Sequence, residues 1–145
     1  MPTTRTAKDL SVTTTEHPNA KVLRDGFAAF GRGDLDTIRA TMTDDAVWTN
    51  AGTSALAGTY RGWDAISGMF GALFERTGGT ISMQVVSVLA DDAHACAIYD
   101  STSTIAGQTQ TNRFVLVQEM TPDGKARATQ TLAYDQAAAD AHLTR

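Results

Sequence analysis

The stretch Asp44-Asp45-Ala46-Val47-Trp48-Thr49-Asn50-Ala51-Gly52, followed closely by Gly58 and Gly62, decides how the chain is read. Helical periodicity precedes it. One further helical stripe follows it, and after that the pattern is strand to the end. Asp44-Asp45 reads as a polar turn. It leads into a first strand over residues 47–50, which opens into a loop over residues 51–62 at the mouth of a pocket.

Working outward toward the N-terminus, Leu23, Phe27 and Phe30 share one helical face over residues 19–30, with Val22 beside them. His17-Pro18 marks the start of that helix, because proline suits a first turn. Gly31 and Gly33 stop it. Asp34 stands as the N-cap of a short second helix lined by Leu35, Ile38 and Met42. Residues 1–16 have few apolar side chains beyond Leu10 and Val12 and read as a mobile tail. That leaves residues 17–145 as one domain.

Toward the C-terminus, Tyr60 and Trp63 close the loop. Ile66, Met69, Phe70, Leu73 and Phe74 then make the strongest helical stripe in the chain, ended by Gly78-Gly79. Residues 80–90, 93–105, 109–120 and 126–135 read as four strands. Asp91-Asp92, Gly107 and Pro122-Asp123-Gly124 supply the turns between them. In the third of these strands Gln110, Asn112, Phe114 and Leu116 share a face. The alanine-rich end, residues 136–143, is left open between a helical turn and a frayed end. Strands gathered in sequence and joined by short turns are antiparallel. With three N-terminal helices on one face they describe an α+β fold. A curved antiparallel sheet wrapped around a long helix leaves a cone with a cavity at its open end.

Composition narrows the function classes. The chain has 145 residues, 42% hydrophobic and 19% charged, with a net charge of −4. Its twelve basic residues are scattered, which argues against nucleic-acid and anionic-membrane partners. No apolar stretch reaches the ~18 residues of a membrane span. Cys96 is the only cysteine, so no intramolecular disulfide forms, and a reducing, cytoplasmic setting is expected. Cys96 itself reads as a small apolar strand residue. His17, His94 and His142 are far apart in sequence, no spacing resembles a metal site, and neither metal nor cofactor is expected.

Four runs carry a resemblance to a known family: Gly33-Asp34-Leu35-Asp36, Met42 through Trp48, Gly58-Thr59-Tyr60-Arg61-Gly62-Trp63-Asp64-Ala65-Ile66, and Asp123-Gly124-Lys125. Over about residues 18–143 the chain resembles the SnoaL-like branch of the nuclear-transport-factor-like superfamily. Ketosteroid isomerases, polyketide cyclases and limonene epoxide hydrolases belong to the same superfamily. The resemblance implies a cystatin-like α+β barrel, and a homodimer through the outer sheet face with residues such as Val115 and Val117 at the interface. It also implies where chemistry would sit. The isomerase's general base falls on Asn50, its oxyanion-hole acid on Asn112, and its tyrosine near Gly26 or Phe27. The cyclases' aspartate falls near Leu132. None of these positions carries the side chain that the chemistry needs, and the acids and arginine of the epoxide hydrolases have no counterpart.

An amide takes no proton near neutral pH, so Asn50 cannot act as a general base. Two neutral amides facing an apolar hollow can still hold a ligand oxygen. The expected function is therefore binding of a small, largely apolar or aromatic, oxygen-bearing molecule. Its wall would be Phe27, Phe30, Met42, Trp48, Tyr60, Phe70, Phe74, Tyr99 and Phe114, with Asn50 and Asn112 as polar anchors. Two alternatives stay open. One is an enzyme of the isomerase or cyclase type using other groups, from Tyr60, Tyr99, Asp100 and Asp135. The other is a dimeric association module.

Overall fold

The computed structural model describes residues 16–145; the tail expected over residues 1–16 lies almost wholly outside them. Helix α1 (Pro18–Gly31) starts as expected: Pro18 occupies the first turn and His17 Nδ1 accepts the Asn19 amide at 3.1 Å. Helix α2 (Leu35–Ala40) is capped by Asp34, whose carboxylate accepts the Thr37 amide at 3.1 Å. It stops before Met42, which begins a strand instead. Strand β1 (Met42–Asn50) runs straight through Asp44-Asp45. The expected turn is a break in register: pairing with the last strand jumps between Met42 and Val47. A bulge there lets two acids sit in a strand without pairing on both sides.

The loop expected over residues 51–62 contains an extra short strand, β2 (Gly58–Arg61), paired antiparallel with β1. Helix α3 (Gly62–Arg76) follows directly and buries Ile66, Met69, Phe70 and Leu73. Then come β3 (Ser82–Ala90), β4 (His94–Ile105), β5 (Gln108–Met120) and β6 (Ala126–Ala133). The alanine-rich end is a full helix, α4 (Gln136–Thr144), capped by Asp135 through the Ala138 amide at 3.0 Å. The β4–β5 turn is two residues, Ala106 (φ 51°) and Gly107 (φ 76°). Two consecutive positive φ values match the right-handed twist of the strands they join.

The six strands form one sheet in the order β2-β1-β6-β5-β4-β3. Every pair is antiparallel except β1 with β6, which is parallel. Helices α1, α3 and α4 pack onto this sheet, α1 over β3 and β4, α3 over β1 and β2, and α4 over β5 and β6. The core between helices and sheet is built from Leu23, Phe30, Trp48, Ile66, Phe70, Tyr99 and Leu116, among others. The fold is α+β, as the element order implies. It differs from expectation in having six strands and a helix on the C-terminal side of the sheet.

Candidate functional site

A cavity of about 120 Å³ opens between α1, α3, α4 and the inner face of the sheet. Strand alternation puts its wall there. Tyr99, Ser101 and Ser103 of β4 stand opposite Phe114, Asn112 and Gln110 of β5. Leu116 and Gln118 continue the row, opposite Thr131 and Thr129 of β6, and those two stand opposite Asn50 and Trp48 of β1. Leu23, Phe27 and Phe30 of α1, and Met69, Phe70 and Leu73 of α3, cover the other side. Gly26 of α1 also lines the cavity, and a Cβ added there would meet nothing within 4 Å.

The aromatic residues are locked together. Tyr99 stacks on Phe114 with ring centroids 5.5 Å apart and touches Phe27 at 4.9 Å. Trp48 meets Phe70 edge to face at 5.2 Å. Of the eleven residues expected in the site, Phe27, Phe30, Met42, Trp48, Asn50, Phe70, Tyr99, Asn112 and Phe114 line the cavity. Phe74 lies behind the wall, stacked on Phe30 at 5.0 Å. Tyr60 also lies outside it, where its hydroxyl donates to the Leu56 carbonyl at 3.0 Å.

The two asparagines have different surroundings. Asn50 Oδ1 accepts from Trp48 Nε1 at 2.8 Å and from Thr131 Oγ1 at 2.7 Å, while Nδ2 donates to the Leu56 carbonyl at 2.9 Å. Only one N–H of that side chain is left. Asn112 Oδ1 accepts from Gln110 Nε2 at 3.0 Å, and its own NH2 has no partner among the described residues. The Tyr99 hydroxyl likewise has none there, and burial pushes its pKa up, so it stays protonated.

Helix α4 brings residues to the wall that the sequence reading passed over: Gln136, Asp140 and His142. Asp140 ties α4 to the β1–β2 loop, accepting the Thr53 amide at 3.0 Å, the Thr53 hydroxyl at 3.3 Å and Gln136 Nε2 at 3.1 Å. Burial pulls its pKa up, but these hydrogen bonds and one from the Ser54 backbone outweigh it and hold the carboxyl below the usual range. Gly52 makes this approach possible: its φ is +92°, and a Cβ there would stand 2.3 Å from the Asp140 carboxylate.

His142 is 1% exposed. Arg145 can only donate, so His142 Nδ1 accepts from it and Nε2 carries the proton. That Nε2–H points at Ser103, whose hydroxyl and carbonyl oxygens lie 2.9 and 3.1 Å away. Burial first, then Arg145, lowers the histidine's pKa. Ser103 and His142 therefore look like a nucleophile and its base but hold the wrong tautomer: neither imidazole nitrogen is free to take the serine proton.

The remaining acids and histidines lie away from the cavity. Asp100 is on the outer face, paired with Arg113 at 2.8 Å, and that contact lowers its pKa. His94 pairs with Asp91, and His17 with Asp92, at the β3–β4 turn. Leu132, near the cyclase aspartate's position, is 46% exposed. Cys96 is partly buried, which pushes its thiol pKa up and blunts its reactivity. No group of three or more His, Cys, Asp or Glu among the described residues is placed to hold a metal. No described helix is long and apolar enough to cross a membrane.

A curved six-stranded sheet closed by helices over an apolar hollow defines the nuclear-transport-factor-like class of α+β proteins. Residues 23–129 match the family described as the SnoaL-like domain, and the chain belongs to it. It is 30% identical over 95 residues to the uncharacterized protein Mb0035 of Mycobacterium bovis, covering 65% of this chain and 72% of that one. The structure of Bal32a, from a soil-derived mobile gene cassette, superposes with a TM-score of 0.82 at 31% identity, over 87% of this chain and 96% of that one. TerC co-crystallized with polyporic acid shares the fold, with a TM-score of 0.78 at 21% identity, over 89% of this chain and all of that one.

Proposed function

We propose that this SnoaL-like protein binds one small, largely apolar, oxygen-bearing molecule in its cone cavity. The observation that carries this is the makeup of the wall. It is aromatic and aliphatic over most of its extent, and its uncommitted polar groups are neutral, among them the Asn112 NH2, one Asn50 N–H, the Tyr99 hydroxyl and the Gln118 Oε1. Sites of this composition hold apolar ligands by burial and orient them with a few hydrogen bonds. Its ionisable lining residues are Tyr99, Asp140 and His142. The first is kept neutral, the second is tied to the loop, and the third has no free lone pair, so none is poised for proton transfer. The co-crystal of TerC with polyporic acid supports the reading at the level of the fold.

Trp48 reports on the cavity. A Trp63→Phe variant leaves it as the sole tryptophan. Its emission should change saturably with at least one class among steroids, terpenoids and aromatic polyketides. No response from any of them, with the fold intact, would overturn the proposal. An isomerase assay on a β,γ-unsaturated ketone separates binding from turnover; activity abolished by Tyr99→Phe would favour the enzyme reading instead.

The outer sheet face supports a second element of the proposal, a homodimer. Leu89 (61% exposed), Leu132 (46%) and Tyr134 (63%) lie on it, with Val115 and Val117 half-buried between them. Contiguous apolar surface of this kind favours self-association. Light scattering at micromolar concentration should give twice the chain mass, and Leu132→Glu should return it to one. The single, partly buried thiol is in keeping with a cytoplasmic protein.

A further inference from the structure

Gln118 is the most deeply buried carboxamide of the cavity wall, at 5% exposure. It sits on β5 between Ala95 of β4 and Thr129 of β6. Ala95 offers no polar side chain. Thr129 Oγ1 lies 3.4 Å from Gln118 Nε2, at the long limit of a hydrogen bond. Gln118 Oε1 has no partner among the described residues, although it is shielded from solvent. A buried acceptor left unpaired is costly, and an apolar residue of the same size would serve the scaffold better. Such an exception calls for an explanation.

On the strength of the binding reading above, we infer that Gln118 is the specificity-determining contact of this cavity. A small turn of the side chain brings Oε1, which is covered in this structure, onto the cavity, where it accepts a hydrogen bond from a hydroxyl or N–H at the buried end of the ligand. The ligand class is then a hydroxylated or amino-substituted aromatic, not a bare hydrocarbon, ether or ketone. The aromatic part follows from the surroundings: the edge-to-face pair of Trp48 and Phe70 lines the same cavity, and flat π surfaces pack well against such a pair. The size agrees, because a cavity of about 120 Å³ is close to the ~150 Å³ that takes a benzene ring. Any further ring runs toward the mouth. A neutral donor suits the site better than an ammonium group, which would have to shed its hydration with no carboxylate beside Gln118 to replace it.

The test uses 2-naphthol with two donor-less partners, 2-fluoronaphthalene and 2-methoxynaphthalene, titrated calorimetrically into the full chain and into Gln118→Leu. The wild type should prefer 2-naphthol by about tenfold over both. Gln118→Leu should bring the three affinities within about twofold while still binding the fluoro compound. The unliganded Leu variant should also melt about 2–4 °C higher, since an unpaired amide is removed; an amide serving the scaffold would lower that temperature instead. Equal binding of all three probes by the wild type overturns the Gln118 assignment and leaves the pocket reading standing. So does preference for the methoxy compound, which would mean that the NH2 end of the amide faces the cavity. Binding of none of them overturns this inference, and the pocket reading then rests on the tryptophan titration alone. Gln118→Met, flexible enough to fill an irregular gap, repeats the test if the Leu variant does not fold. Failure of both to fold assigns the amide to the scaffold and overturns the inference.

Discussion

Two corners of the same wall carry the same functional group and use it differently. At the β1 corner the Asn50 carboxamide is held by Trp48, Thr131 and the Leu56 carbonyl. On β5 the Gln118 carboxamide has one long contact and an orphaned oxygen. The first joins strand β1, strand β6 and the loop before β2, and is chiefly architecture. The second contributes nothing comparable to the scaffold and is left for a ligand. Residue type alone does not separate these roles; the count of satisfied partners does.

The sharpest way to break that contrast is Asn50→Ala. It strands the Trp48 N–H and the Thr131 hydroxyl, leaves the Leu56 carbonyl with Tyr60 as its one donor, and should cost about 3 kcal/mol in denaturant unfolding. A loss below about 1 kcal/mol would show that the corner is not structural. Next comes Gly26→Leu, at a cavity-lining position where an added Cβ meets nothing within 4 Å. Affinity for 2-naphthol should fall at least tenfold. Stability should hold or rise, since a mid-helix glycine is about 1 kcal/mol worse than a good helix former.

Asp140→Asn tests the tie between α4 and the β1–β2 loop and should cost about 1 kcal/mol at neutral pH. The Asp140 pKa is lowered in the folded protein. Its carboxylate therefore stabilises the fold above the unfolded-state pKa, and that contribution disappears as pH falls through the folded value. Melting temperatures of wild type and Asp140→Asn should converge as pH drops below the usual carboxylate range. The smallest stability effect is expected from Tyr99→Phe. It removes a hydroxyl with no partner among the described residues, so stability should move by less than about 0.5 kcal/mol while affinity for oxygen-bearing probes drops.

The parity of the late strands was legible in the sequence. Gln110, Asn112, Phe114 and Leu116 share a face there and in the structure. Gln118 has the same parity and could have been read from the same count. Strand β2 was not legible: four residues that begin on Gly58 and give way at once to Gly62 leave alternation too little length to show. Asp44-Asp45 read as a turn because acids are depleted in strands, and the register break that accommodates them leaves no mark in the pattern. Met42 fell at helical spacing from Ile38 but starts β1. Helix α4 was hidden because its alanines make no stripe, and Asp140 and His142 came with it. Those two reach the wall only through long-range partners, Thr53 and Ser103.

Side-chain amide resonances give the most direct test of the central claim, that neutral carboxamides in the cone read the ligand. In a ¹H–¹⁵N titration of the full chain with 2-naphthol, the NH2 signals of Gln118 and Asn112 should shift saturably. The Asn50 NH2, anchored on the Leu56 carbonyl, should move less, and outer-face residues such as Leu132 should not move. Shifts confined to the outer sheet face, or no saturable shift of any cavity amide, would contradict the account.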